Sequence, residues 1–255
     1  MALPLDVGFY GKLPSHGDFL RRRTSDAFVA VWDGWLQDCL AASRSALGDR
    51  WLELYLTSPA WRFVCGAGAC GVAPVAGVMV PSVDRVGRYF PLTLVAELPA
   101  GADVLAVAAA AEPFMTDVER LAIDTLEAEA IDLEAFDEHL RASAARLAGC
   151  CTPPPVSLDP SAAGILDGDG ETAVQMAVGS PPRLAPVLLQ VLAHRLAAVY
   201  EPLTLWWTDG SAAVEPSGLI CRGLPDPESF ASLLDGAWTG RRWWAIPSQD
   251  RKSVV

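Results

Sequence analysis

Apolar positions along the chain change period several times, and the changes mark the elements. VGFYG at 7–11 reads as a short strand running into a loop broken by Gly11, Pro14 and Gly17. From Phe28 the period becomes helical. Phe28, Val31, Trp32, Trp35, Leu36, Cys39 and Leu40 fall on one face of a helix that Thr24 or Ser25 can cap and that ends near Gly48. WLELYL (51–56) makes a second short helix before Pro59. WRFVC (61–65), VAGVMV (75–80) and FPLTLVAEL (90–98) are short, β-branched or aromatic and bounded by Gly and Pro, so they read as strands. Two amphipathic helices follow, one through Phe114, Val118, Leu121, Ile123 and Leu126, the other through Ile131, Leu133, Phe136 and Leu140. After a Pro-, Gly- and Ser-rich stretch at 148–170 come a strand (ETAVQMAV), a helix from about Leu184 to Tyr200, a strand (PLTLWW), a turn at Asp209-Gly210 and a last helix over about 228–234.

Strands and helices interleave from end to end. The expected fold is α/β, a three-layer α/β/α sandwich with a mixed or mostly antiparallel central sheet. A chain of 255 residues buries a sizeable core, and the pattern fits a single domain over 1–255. The 148–170 stretch is a loop separating an N-terminal part (1–147) from a C-terminal part (171–255).

Composition narrows the function classes. Net charge is −12, and the acidity is concentrated: residues 101–150 carry eleven Asp and Glu against three Arg, while residues 1–100 are balanced at nine and nine. Arg21, Arg22 and Arg23 make the one basic cluster, which is too little for a nucleic-acid face. No apolar run is long enough to cross a bilayer, and MALPLDVGFY lacks the features of a secretory signal, so a cytoplasmic location without membrane insertion is expected. Six scattered cysteines with no C-x-x-C pair read as small buried hydrophobes.

Candidate chemical motifs fail on context. Gly66-x-Gly68-x-x-Gly71 has the spacing of a dinucleotide loop, but VAPVAGVMVP follows it instead of a helix N-terminus, so a hairpin turn is expected. DGDGE at 167–171 has Thr172 and Val178 where a calcium loop needs Gly and Glu. His16, His139 and His194 have no evident catalytic partners. No enzyme activity, cofactor or metal is expected.

Two long words carry more information. GFYGKLPSHGDFLRR (8–22), followed by WDGWLQ, and PSVDRVGRYFPLTL (81–94) resemble the signature of the TagF (ImpM) family, proteins associated with type VI secretion. SPAWRF (58–63), LTLWWTDG (203–210) and GLPDPESFASLL (223–234) extend the resemblance over nearly the whole chain. The resemblance implies a cytoplasmic, non-enzymatic accessory protein and post-translational negative regulator. It would act by binding other components of the apparatus, the forkhead-associated scaffold protein being the expected partner. The phosphatase domain fused to some relatives has no counterpart in this chain.

Within these words Lys12, Asp18, Arg21, Arg62, Asp84, Arg88 and Tyr89 are the candidate interaction or signature residues. For Lys12 and Asp18 a partner-contact role and a purely structural role stand level; His16 reads as structural. Asp18, Arg62, Asp84 and Arg88 are expected to form one polar network that ties the two signature loops together. Alternative readings are an enzyme or nucleotide-responsive switch with a polar pocket at Lys12, His16, Asp18 and Arg88, and a structural subunit of the secretion machine. Trp243 and Trp244, beside two arginines, are either tail packing or interface anchors, with packing favoured.

Overall fold

The computed structural model describes residues 5–128, 131–151, 192–196 and 198–243. Seven strands form one sheet in the order β2-β1-β5-β4-β3-β6-β7, every neighbouring pair antiparallel. They are β1 (Val7–Gly11), β2 (Leu20–Arg22), β3 (Trp61–Cys65), β4 (Val75–Val80), β5 (Leu92–Glu97), β6 (Leu203–Thr208) and β7 (Ser217–Arg222). Helices cover both faces, so the three-layer α/β/α expectation holds, with a fully antiparallel sheet.

Alternation along the strands sorts side chains into two cores. One face carries Trp61, Phe63, Val75, Met79, Val95 and Trp206 against α1 (Asp26–Leu47), α2 (Trp51–Leu56) and α6 (Ala231–Asp235). The other carries Val7, Phe9, Val64, Val78, Leu92 and Leu94 against α3 (Val104–Ala110), α4 (Glu112–Glu127) and α5 (Leu133–Ala148).

α1 starts where Ser25 Oγ accepts from Phe28 N–H, and its buried stripe is Phe28, Trp32, Trp35, Leu36, Cys39, Leu40 and Ser43. Val31, assigned to that stripe from the sequence, is instead 41 % exposed, because it sits a quarter turn off the seam. Ile123 of α4 is likewise exposed, and Met115 and Ala122 take the inward positions. Tryptophan dominates the first core, and the buried indoles find acceptors: Trp32 in Thr93 Oγ1, Trp35 in Pro225 O, Trp51 in Ser43 Oγ, Trp61 in Leu233 O. Trp243 packs edge-on against Trp238 and donates to Ser229 O, which is tail packing; Trp244 lies outside the described residues.

The Gly66–Gly71 segment is the β3–β4 turn, with Gly68 and Gly71 at positive φ, and no helix follows it. The 148–170 loop beyond residue 151, the ETAVQMAV strand and the helix before residue 192 lie outside the described residues; 192–196 and 198–200 are helical. Three elements were not anticipated: β2, α3 and β7.

Candidate functional site

Strand direction brings the signature words to one end of the sheet. β1 and β4 finish there, β3 and β5 begin there, and β6 finishes there, as the pairings Tyr10↔Thr93, Val80↔Leu92 and Arg62↔Trp207 require. The connecting loops at that end are 12–19, 57–60, 81–91 and 209–216, which contain KLPSHGDF, the SPA of SPAWRF, PSVDRVGRYFP and the DG of LTLWWTDG.

Loops 12–19 and 81–91 interlock around Asp84, which is 3 % exposed. Its carboxylate accepts from Lys12 Nζ at 2.5 Å, Arg88 Nε at 2.7 Å, and the backbone N–H groups of Arg88 at 2.8 Å and Val86 at 3.0 Å. Burial alone would raise the Asp84 carboxyl, but the Lys12 ammonium and these further donors hold it well below the usual carboxylate range. Arg88 also donates to Gly17 O, and Arg85 N–H donates to His16 O at 3.0 Å. Beneath them Ser82 Oγ donates to Lys12 O, while Tyr55 Oη donates to Ser82 O and accepts from Ser82 N–H. The Lys12 ammonium lies 4.8 Å from the Phe19 ring centre, and Phe19 packs on Tyr10 and Phe90. Tyr89 stands edge-on to Trp51 and Tyr55, joining the 81–91 loop to α2.

Two members of the expected network are elsewhere. Asp18 is exposed and has no hydrogen bond or ion pair among the described residues. Arg62 lies on the opposite face of β3 from Trp61 and Phe63, and so belongs to the α3–α5 side. There Arg62, 5 % exposed as a residue, meets Glu119 at 2.6 Å, Asp209 at 2.7 Å and Glu112 at 3.2 Å through its guanidinium. The Arg62↔Trp207 register explains Asp209, which lies two residues further along on the same face. Burial pushes the Glu119 carboxyl up, against the opposing pull of Arg62. This second cluster joins β3, α4 and the end of β6. Its signal in the sequence was Arg62 inside an apolar strand, which demands a buried partner.

The arginine run is also consumed internally. Arg21 donates to Thr24 O and pairs with Asp26 at 2.6 Å. Arg22 reaches Glu134 at 2.7 Å, and Arg23 Nη2 lies 2.7 Å from Asp137 Oδ1 on α5. Part of the acidity of α5 therefore neutralises β2. His139, with Arg146, faces Asp117 of α4. Among the described residues no group of His, Cys, Asp or Glu is arranged to hold a metal ion, and no helix is long and apolar enough to cross a membrane.

The described residues thus form an α/β sandwich whose seven-stranded antiparallel sheet is covered on both faces and whose 12–19 and 81–91 loops interlock at one end. The crystal structure of PA0076 from Pseudomonas aeruginosa PAO1 is similar, with 34 % sequence identity and a TM-score of 0.70 over 95 % of this chain and 98 % of that one. Residues 8–143 match the family model for the TagF N-terminal domain, described as type VI secretion system-associated. This chain belongs to the TagF family, an accessory family of type VI secretion. No curated protein matches the chain.

Proposed function

We propose that this protein restrains type VI secretion after translation, acting in the cytoplasm by binding a component of the apparatus without turnover, the forkhead-associated scaffold protein being the expected partner. The observation that carries the reading is the family match over 8–143, which includes both signature loops. The geometry fits binding better than catalysis. Lys12 and Arg88, the cations a polar pocket would use, both spend donors on Asp84, and His16 Nδ1 is within 2.7 Å of Ser15 Oγ.

A binder without turnover acts by mass action, so its effect follows its amount relative to its partner. Graded expression should therefore lower secretion in proportion up to equivalence with the scaffold protein present in the cell, and the two purified proteins should co-elute as a complex of fixed ratio. Secretion that is abolished at amounts far below the partner would point to turnover. Constant incorporation into firing machines would point to a structural subunit.

A further inference from the structure

Residues 84–88 make a turn clamped from below by the buried Asp84 carboxylate, with Arg85, Val86 and much of Arg88 facing water. The clamp is the buried Lys12–Asp84 pair together with the two backbone N–H groups that Asp84 accepts. A buried ion pair seldom stabilises more than apolar residues of the same volume, so what it contributes here is position. The side chains it positions have no place in the core. Val86 is 64 % exposed, and the exposed Arg85 guanidinium has no carboxylate or hydrogen-bond acceptor among the described residues. On the Lys12 side of the clamp, Phe19, whose ring centre lies 4.8 Å from the Lys12 ammonium, is 45 % exposed while resting on Tyr10 and Phe90. Arg88 keeps 57 % of its side chain in solvent.

The charge of this tip is opposite to that of the molecule. Lys12 balances Asp84, which leaves Arg85 and Arg88 against Asp18, the one exposed carboxylate of the two loops. The whole chain carries −12. An acidic partner is thus repelled by most of the surface and accepted at the tip, which sets orientation as well as contact. Preorganised backbone loses little freedom on binding, and an unpaired guanidinium offers a carboxylate two parallel N–H donors.

We infer that the tip formed by Phe19, Arg85, Val86 and Arg88 docks an acidic protein segment, with carboxylates placed around an apolar side chain that lies over Val86 and Phe19. The inference rests on the reading of the protein as a binder, and adds the surface and the partner chemistry. The test measures binding of the full chain to the purified forkhead-associated scaffold protein by calorimetry. Three chains are compared: wild type, Arg85→Glu with Val86→Ser, and Asp124→Lys with Glu127→Lys on the exposed face of α4, with thermal midpoints taken to check folding. The expected result is at least about 30-fold weaker binding for the tip variant and a change within about threefold for the α4 variant. Tip-variant binding equal to wild type overturns the docking surface while leaving the partner in place. Loss confined to the α4 variant overturns the acidic chemistry as well. Absence of binding by wild type overturns both the docking surface and the proposed partner.

Discussion

At the residue scale the fold depends on charges placed where water is not. Asp84→Asn would leave the Lys12 ammonium buried beside a neutral amide and release Arg88. A fall in thermal midpoint on the order of 5–10 °C is expected, larger than for Lys12→Met, in which Asp84 keeps Arg88 and two backbone donors. Equal losses in the two variants would show that the pair is not asymmetric in this way. Arg62→Met should cost about 2–4 kcal/mol in chemical denaturation, since three carboxylates would remain around an apolar side chain. The pH dependence has a definite sign. Asp84, Asp137 and Glu134 have carboxyls held below their ordinary values, by Lys12 and Arg88 against burial for Asp84, by Arg23 for Asp137 and by Arg22 for Glu134. Their contribution is fully present above about pH 4–5 and is lost as pH falls through the depressed values. Glu119, with its carboxyl raised by burial, acts in the opposite direction, favouring the folded state when protonated. Urea midpoints measured between pH 7 and 3 should therefore fall most steeply below pH 4, and Asp137→Asn should flatten that fall.

At the element scale, periodicity made much of the architecture legible and failed for stated reasons. WRFVC and VAGVMV match β3 and β4 residue for residue, and WLELYL matches α2, because each is mostly apolar and short, with Pro59 and Gly66 near the ends of the first, Pro74 and Pro81 flanking the second, and Gly48 and Pro59 three residues outside the third. β2 escaped notice because three residues, two of them arginine, carry no strand pattern; its pairing with β1 and the acids of α5 hold it. β7 was hidden by Gly218 and by Ile220, an apolar residue on the exposed face of the sheet edge, so the sequence does not alternate although the burial along the strand does. The candidate site was legible in its words but only partly in its connections. Lys12, Asp84 and Arg88 lie together, and alternation in WRFVC sets Arg62 opposite Trp61 and Phe63, but nothing in the sequence brings Glu112, Glu119 and Asp209 around it until the chain is folded. Two substitutions test elements. Ser25→Ala should cost about 1 kcal/mol by removing the α1 cap. Gly77→Ala places a Cβ inside the radius of Leu94 O between β4 and β5, so it should yield little folded protein, as judged by soluble yield and circular dichroism.

At the scale of the whole molecule, the sheet acts as a common platform on which both cores and all the signature loops are registered. Separate parts of the chain contribute to it: β3 and β6, whose residues Arg62 and Trp207 are paired, lie side by side although far apart in sequence. The Lys12–Asp84 contact spans 72 positions, and the Arg62–Asp209 contact spans 147. Closing such loops costs entropy before any contact rewards it, so these links are expected to form after the sheet has assembled. Asp84→Asn should accordingly speed unfolding far more than it slows folding in stopped-flow experiments. The clamp under the 84–88 turn then has a temporal meaning. A nascent or half-folded chain would carry the same residues without their arrangement, so on the binding reading proposed above only a finished molecule would present the tip, and immature copies would not compete with it for the partner.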